Sequence, residues 1–308
     1  MKGTEKAASR RIFITVLILT ACLSGFAMIR KRYEAPGGKW QSYRDLKYGR
    51  DVMQSLDLYV PANARGCLPV VVFIHGGGWV AGDKSMATFF ELSKKGYALA
   101  SINYRLIWEA AFPAQIQDCK GAIAFLRSNA GKYKLDPDHI AVWGCSSGGQ
   151  LAMLLATTGN GEVPEWESEC RGVPTRVEAV CDWAGPSDLV SLIRTRPLDK
   201  YIRSYTKNLV GPPGTGREAK WVLASPVRYV KRGDPPVLIM HAKGDETIPI
   251  SQSEELFECL KSKGVESQLI AVDAPQHSFY TQGYEAIVAE FFNRIFQRPH
   301  WGNLANLN

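Results

Sequence analysis

The feature that most constrains this sequence is an alternation of strand-like and helix-like segments that runs from about residue 68 to residue 296. Short runs of branched and aromatic residues, such as "LPVVVFIH" and "PPVLIMHA", indicate strands that are covered on both faces. Longer segments between them, such as "PAQIQDCKGAIAFLRSNAGKY", carry apolar residues at helical spacing. The alternation predicts an α/β fold with a mostly parallel central sheet and helices on both of its faces.

The alternation is interrupted at residues 186–230, which lie between two predicted strands and are rich in Pro, Gly and basic residues. Long insertions of this kind often cover an active site, so we predict a small cap or lid. Functional residues should directly follow strands, because ligands of such folds bind beyond the carboxyl ends of the parallel strands. We place the whole domain at residues 44–298, after a polar linker at 33–43 and before a tail at 299–308.

The net charge of +7 belongs to the N-terminal segment. Residues 1–50 contain 11 Lys and Arg against 3 Asp and Glu, a balance of +8, and the rest of the chain has a balance of −1. A neutral domain lacks the basic surface that binds nucleic acids, so we expect no nucleic-acid partner. The basic residues flank an apolar run from Ile12 to Ile29, and residues 1–32 are therefore predicted to be an export signal or a membrane anchor.

Three forms of this signal remain open. A cleaved signal peptide has the same basic start and apolar core. The apolar run of 18 residues is also at the lower limit for a helix that spans a membrane. The stretch "LTAC", which ends at Cys22, resembles a bacterial lipobox, in which the cysteine is lipidated, although apolar rather than polar residues follow it. All three forms predict an exported protein in the periplasm or at the cell surface, and the anchored and lipidated forms also predict membrane contact through the N-terminal segment.

The seven cysteines show no CxxC pair, so a structural zinc site is not expected and we predict no bound metal. Their spacing does not identify disulfide pairs in an exported protein. Cys119, Cys145 and Cys181 lie in apolar stretches and are predicted to be buried free thiols.

The stretch "HIAVWGCSSGGQLAMLL" places two serines and several glycines between a predicted strand and a predicted helix. Residues 144–148 fit the pattern G-x-S-x-G, in which a nucleophilic serine sits on a sharp turn and glycines two residues away on either side leave room for it. In this register Ser146 is the nucleophile, and the backbone N–H of Ser147 donates to the oxyanion. The alternative, with Ser147 as the nucleophile, would need glycines at 145 and 149, and position 145 is Cys.

A second glycine-rich stretch, "HGGGW" at residues 75–79, directly follows the predicted strand "PVVVFI". An oxyanion hole needs backbone N–H groups that approach the substrate closely and point at one place. Glycines allow that approach, and the stretch matches the HGGG-type loop of esterases and lipases. We predict that Gly77 and Gly78 supply these N–H groups and that Gly76 shapes the turn.

A nucleophilic serine needs a histidine base and a carboxylate that orients the base. Of the five histidines, His277 follows the last predicted strand and is the predicted base, whereas His241, at the end of another strand, is predicted to be structural. Asp245 follows the preceding predicted strand, and the order Ser, Asp, His along the chain favours it as the acid. Asp182, which follows an earlier strand, is the second candidate.

These stretches together resemble the α/β-hydrolases of the hormone-sensitive-lipase-like group, in particular its bacterial feruloyl-esterase-like and acetyl-esterase-like branch. The resemblance spans roughly residues 45–296 and includes "HGGGWVAGDK", "INYRL", "WGCSSGGQLA", "DWAGPSDL" and "IMHAKGDETIP". It implies the α/β-hydrolase fold and a serine esterase whose triad is Ser146, Asp245 and His277, with no cofactor and a small-molecule ester as substrate. The chain departs from this branch mainly at Cys145, where an acidic or small residue is common.

The resemblance implies a carboxylesterase for short-acyl esters or for carbohydrate and aromatic esters of the plant-cell-wall type. Two alternatives stay open from the residues alone: an amidase similar to arylformamidases, and a non-catalytic binding protein on the same scaffold, which would usually lack a triad member. Trp79 and Trp183 follow the motifs near the predicted site and are candidates for stacking on the substrate. Packing beneath the cap explains these two tryptophans equally well.

Overall fold

An eight-stranded sheet forms the centre of the domain, in the order β1-β2-β4-β3-β5-β6-β7-β8. The computed structural model describes residues 40–87, 91–167, 172–195, 200–210, 216–279 and 282–297. The strands are β1 (Trp40–Lys47), β2 (Ser55–Pro61), β3 (Leu68–Ile74), β4 (Ala98–Ile102), β5 (Leu135–Cys145), β6 (Ala179–Trp183), β7 (Val237–Ala242) and β8 (Ser267–Val272). β2 is antiparallel to β1 and β4, and all pairings from β4 to β8 are parallel, which confirms the predicted sheet.

Helices connect the parallel strands, as the alternation in the sequence predicts. They are α1 (Ala114–Ser128), α2 (Ala130–Tyr133), α3 (Ser147–Thr158), α4 (Leu189–Thr195), α5 (Lys200–Leu209), α6 (Arg217–Leu223), α7 (Ser251–Ser262) and α8 (Gln282–Phe296). Short 3-10 turns lie at Lys84–Met86, Leu92–Lys95, Pro164–Trp166 and Pro226–Tyr229. Every residue of β4, β6 and β7 is buried, so both faces of the central strands are covered.

The two faces of the sheet bury different side chains. On one face, alternate aliphatic residues of the strands join one apolar core with the inner sides of α1 and α3; Val72 of β3, Ile123 of α1 and Leu151 of α3 are fully buried there. On the other face aromatic rings pack edge to face, with 4.9 Å between the ring centres of Trp143 and Trp183. Because β5 to β8 are parallel, their carboxyl ends lie along one edge of the sheet.

Two parts of the predicted domain organisation are refined by these elements. β1 begins at Trp40, inside the stretch 33–43 that the sequence predicts to be a linker. This strand lies at the sheet edge and most of its residues are exposed, so its sequence lacks the apolar run that marks a buried strand. The insertion at residues 186–230 is helical and contains α4, α5 and α6.

The predicted N-terminal signal, including Cys22, and the predicted tail at 299–308 lie outside the described residues. Within the described ranges, no helix combines the length and the apolar character that crossing a bilayer requires.

Candidate active site

Ser146 occupies a strained turn between β5 and α3. Its backbone angles, φ 54° and ψ −121°, fall in a region that residues other than glycine rarely adopt. The turn is fixed to the neighbouring strand β6 by the Ser146 N–H, which donates to the carbonyl of Trp183 over 2.7 Å. A Cβ added to Gly144 would lie 2.0 Å from the carbonyl oxygen of Gly148, so a side chain there would prevent the turn from closing. The glycines therefore do what the motif predicts, and such strain is a recurrent property of functional sites.

The glycine turn that follows β3 lies directly against this serine. A Cβ on Gly76 would be 2.9 Å from the carbonyl oxygen of Cys145 and 3.3 Å from the Cβ of Ser146. Gly77 and Gly78 have φ values of 112° and 63°, which favour glycine. Among the described residues, no acceptor is bound to the N–H groups of these two glycines. The glycine turn thus lies directly beside Ser146, and the donor roles of Gly77, Gly78 and Ser147 stay a prediction.

Asp245 follows β7, and both oxygens of its carboxylate accept hydrogen bonds. Oδ1 accepts from the backbone N–H groups of Thr247 and Ile248 over 2.8 and 2.9 Å. Oδ2 lies 2.5 Å from Nδ1 of His277 and 3.1 Å from Nε2 of His241. Burial by itself would raise the pKa of Asp245, but the hydrogen bonds from His241 and His277 outweigh it and hold this pKa well below its usual range. Asp245 is therefore ionised at neutral pH.

His277 follows β8 and is oriented by this carboxylate. Because the ionised Asp245 can only accept, Nδ1 of His277 must carry the proton that lies between them. Nε2 is then left as the basic nitrogen of a neutral imidazole. The side chain is 20% exposed, so the ring remains accessible from solvent. The structure thus brings together the predicted base and the predicted acid.

The second candidate acid, Asp182, is not in contact with this histidine. It is buried in β6, where Oδ1 accepts from the N–H of Gly185 over 2.9 Å. Oδ2 has no hydrogen-bond partner among the described residues. Burial raises the pKa of Asp182 to about 6. The geometry at His277 therefore favours Asp245 as the acid.

Two other histidines have surroundings that match a structural role. His75 is fully buried, its Nδ1 lies 2.8 Å from the carbonyl oxygen of Gly76, and its ring stacks on Tyr104. Burial lowers the pKa of His75 to about 4, so the ring is neutral and supports the glycine turn. His139 lies near the start of β5, at the opposite end of that strand from Ser146, and pairs with Asp136.

A very small cavity adjoins Ser146. Its volume is about 10 Å³, which is close to the space that the centre of one water molecule needs. One side of it consists of Gly78 and Trp79 of the glycine turn (the oxyanion turn of the prediction) together with Ser146 and Ser147. The opposite side consists of residues from the helical insertion together with one residue after β7; they are Pro186, Leu192, Tyr205, Thr206 and Ile248. A Cβ on Gly78 would lie 2.8 Å from the Tyr205 ring, so the insertion packs directly on the oxyanion turn.

The two candidate tryptophans have different positions. Trp79 lines the cavity beside Ser146, and its indole N–H donates to Oε1 of Gln150 over 3.1 Å. Trp183 is 2% exposed and packs in the interior, with ring centres 4.9 Å from Trp143 and 5.2 Å from Phe279. The position of Trp183 matches the packing alternative, whereas Trp79 can still contact a bound substrate.

The three cysteines in apolar stretches, Cys119, Cys145 and Cys181, are buried free thiols as predicted. Sequence reasoning did not identify Tyr205, because the amphipathic stretch that forms α5 contains no catalytic motif. It also missed the contact between His241 and Asp245, although the spacing of four residues in "HAKGD" placed both at the end of one strand.

Comparison with known proteins identifies related sequences. The family model described as BD-FAE matches residues 56–260, which is more than half of the chain. Esterase LipC of Mycobacterium tuberculosis is 33% identical over 234 residues, which are 71% of this chain and 55% of that protein. A probable isoprenylcysteine alpha-carbonyl methylesterase of Arabidopsis thaliana is 25% identical over 246 residues, which are 76% of this chain and 50% of that protein. The chain therefore spans about half the length of these relatives.

Solved structures share the fold over most of the chain. A truncated carbohydrate esterase from gut microbiota is 30% identical, with a TM-score of 0.73, and the match covers 84% of this chain and 97% of that one. Esterase B from Lactobacillus rhamnosis is 23% identical, with a TM-score of 0.72 and coverage of 93% and 96%, and it supports the fold alone. The family match and the shared strand arrangement confirm the resemblance seen in the sequence: the chain belongs to the BD-FAE family and has the α/β-hydrolase fold.

Proposed function

We propose that this protein is a serine carboxylesterase whose triad is Ser146, His277 and Asp245. The observation that carries the proposal is the pairing of His277 with Asp245 at the sheet edge where Ser146 occupies a strained turn. The esterase names of the relatives support the same reaction class. A non-catalytic binding protein would have no need for this strain or for a carboxylate that fixes the histidine tautomer.

Acylation starts when Oγ of Ser146 attacks the carbonyl carbon of the ester while Nε2 of His277 accepts the hydroxyl proton. Asp245 keeps the imidazole in the required tautomer and stabilises the imidazolium that forms. When the tetrahedral intermediate collapses, the bond to the alcohol oxygen breaks and the alcohol leaves with the proton from Nε2. A water molecule then attacks the acyl group on Ser146 by the same route, which releases the carboxylic acid and restores the serine.

The negative charge of each tetrahedral intermediate falls on the former carbonyl oxygen. We assign its stabilisation to the N–H groups of Gly77, Gly78 and Ser147. Ser147 is the first residue of α3, so its N–H lies at the positive end of the helix dipole. One donor of this kind typically contributes about 3 kcal/mol to the stability of the transition state.

The small cavity beside Ser146 supports an acetyl or similarly short acyl group as the substrate's acid part. The centres of water-sized spheres have about 10 Å³ in this cavity, which favours a short acyl group over a long aliphatic chain or an aromatic ring. The alcohol part then lies outside the cavity and can be large. The similarity to a carbohydrate esterase supports a sugar as this alcohol.

The assignment is tested with a fluorophosphonate probe, which labels activated serines. We expect labelling of the wild-type protein and none of Ser146→Ala, while Ser147→Ala, which keeps its backbone N–H, remains labelled. Equal labelling of Ser146→Ala and the wild type would falsify the assignment. A panel of acetyl, butyryl and feruloyl esters with the matching amides then separates an esterase from an arylformamidase-like amidase, since we expect hydrolysis of the short esters to dominate.

We also propose that the chain is exported through its N-terminal segment, which is then cleaved, lipidated or kept as a membrane anchor. The support is the apolar run between Ile12 and Ile29 with basic residues on both sides. Expression of the full chain in a bacterium, followed by fractionation and labelling with a fatty-acid analogue, distinguishes the three forms. Fatty-acid label that disappears in Cys22→Ala indicates a lipoprotein. Unlabelled protein in the membrane fraction indicates an anchor, and a shortened soluble product indicates a cleaved signal. Full-length protein in the cytosol would contradict export.

A further inference from the structure

A second, buried histidine contacts the carboxylate of the proposed triad. His241 lies near the end of β7 and is fully buried. Its Nε2 is 3.1 Å from Oδ2 of Asp245 and 3.0 Å from the carbonyl oxygen of Ile248. Its Nδ1 is 2.7 Å from Oγ of Ser253 on α7. Both ring nitrogens therefore have partners, and one partner is the group that orients the proposed base.

The partners determine which nitrogen carries the proton. A carboxylate and a carbonyl can only accept, so Nε2 of His241 must be the donor to Asp245 and to Ile248. Nδ1 of the neutral ring is then an acceptor, and the hydroxyl of Ser253 is able to donate to it. Ser253 thereby favours the one tautomer of His241 in which the N–H points at Asp245.

The two histidines share a single oxygen atom. Oδ2 of Asp245 receives Nδ1–H of His277 and Nε2–H of His241, whereas Oδ1 receives the backbone N–H groups of Thr247 and Ile248. The donors on Oδ1 fix the carboxylate at the loop after β7, and the donor from His241 fixes how the carboxylate is rotated toward His277. We propose that His241, with its tautomer set by Ser253, is a positioning residue of this active site. The proposal rests on the triad assigned above.

The surroundings of His241 agree with positioning and exclude direct chemistry. Because the ring is 0% exposed, it cannot reach an ester. The titratable or charged groups that face it are Asp245 from the loop after its own strand and Asp182 from β6, with His277 beyond Asp245 on the side of β8. Its neighbour on β8 is Ala271, and α7 contributes the neutral Ser253.

Two variants of similar size separate donation from packing. His241→Met removes the N–H and fills the space, whereas His241→Gln keeps an N–H near the position of Nε2. We expect His241→Met to lower kcat at least tenfold with an unchanged KM, because the ring touches no substrate. The acidic limb of the kcat/KM profile should move up by about half a pH unit, since Oδ2, with one donor fewer, attracts the protonated His277 more strongly. His241→Gln should stay within about threefold of wild type with an unmoved limb.

Ser253→Ala provides a second test that places no new side chain at the site. We expect a two- to threefold lower kcat and a smaller shift of the limb in the same direction, because the ring is no longer held from α7. Its matched control is Ser101→Ala on β4, in the other half of the sheet. This variant also removes a buried serine hydroxyl, which donates to the carbonyl of Lys84. The control should lose stability without a change in kcat or in the limb.

The proposal is overturned if His241→Met and His241→Gln have the same kcat and the same acidic limb, whatever their melting temperatures. If neither His241 variant folds, the test passes to Ser253→Ala. A wild-type kcat and an unshifted acidic limb of its kcat/KM profile would overturn the proposal, and a shifted limb would support it. An error in the triad assignment can be distinguished from an error in this proposal. It would appear as fluorophosphonate labelling that persists in Ser146→Ala.

Discussion

The two sides of the cavity at Ser146 are built by different kinds of contact. At the sheet edge, backbone groups fix the reactive residues: the Ser146 N–H is bound by Trp183, and Asp245 accepts two backbone N–H groups of its own loop. The helical insertion meets the site through side chains, such as the ring of Tyr205 against Gly78. Changes at the sheet edge should therefore affect the chemical step, whereas changes in the insertion should affect which esters are accepted.

The largest effect is expected at the acid of the sheet edge. Asp245→Asn keeps the size but presents an amide to His277, which favours the wrong tautomer, so kcat should fall about 10³- to 10⁴-fold. The matched control is Asp182→Asn, which keeps the acceptor for the N–H of Gly185 and should stay within a few-fold of wild type. Steady-state kinetics on an acetyl ester measures both. Similar losses of kcat in the two variants would mean that catalysis depends on both carboxylates and would contradict the choice of Asp245 as the acid of the triad.

The next effect contrasts two neighbouring glycines. A Cβ on Gly77 would lie 2.2 Å from the backbone oxygen of Ala81, whereas a Cβ on Gly78 would meet the Tyr205 ring at 2.8 Å. Gly77→Ala should lower kcat/KM about 100-fold, because the oxyanion turn itself must move. Gly78→Ala should cost about tenfold through its strained φ and the displaced ring. Part of the second loss should be recovered when Gly78→Ala is combined with Tyr205→Ala, and the absence of any recovery would contradict packing of the insertion on this turn.

Within the insertion, Tyr205 should control the length of the acyl group. Tyr205→Ala removes a wall of the cavity, so we expect the ratio of butyryl to acetyl hydrolysis, compared by kcat/KM, to rise about tenfold. Leu223→Ala, at an exposed position of α6 in the same insertion, is the control and should leave the ratio unchanged. An unchanged ratio in Tyr205→Ala would place the limit on acyl length elsewhere.

The smallest effect on activity is expected at α8, which follows the loop that carries His277. Glu285 on this helix is buried and accepts the N–H of Glu91 over 3.0 Å, and burial raises the pKa of Glu285 to about 7. Its folded-state pKa lies above the ordinary value, so the folded protein loses stability as the pH rises from about 4.5 to 7, and the cost is complete above pH 7.

Glu285→Gln removes this cost and keeps an oxygen for the N–H of Glu91. We expect it to raise the free energy of unfolding by roughly 1–3 kcal/mol at pH 8 and by little at pH 4, with unchanged kinetics. Thermal unfolding at the two pH values measures the difference. Glu290→Gln, an exposed position of the same helix, should show no such pH-dependent gain. A gain of equal size at both pH values would exclude the raised pKa as its cause.

The comparison also explains which parts of the site the sequence could predict. Ser146, the glycine turn and Asp245 sit at strand ends, where local rules of turn geometry and strand order apply. The contact of Tyr205 with Gly78 joins two elements that are distant along the chain. The support from His241 depends on its buried contacts with Asp245 and with Ser253 of α7. No local pattern records such contacts, so Tyr205 was not singled out and His241 was interpreted as purely structural.

By itself the sequence determined the alternating elements and the mostly parallel sheet, and it singled out the proposed acid and base, because apolar periodicity and glycine placement act over a few residues. Only the tertiary structure decided that Trp183 packs in the interior, that β1 extends into the predicted linker, and how little room the insertion leaves beside Ser146. The physical reason is that burial and cavity size depend on which surfaces meet, and this is fixed only when the whole chain has folded.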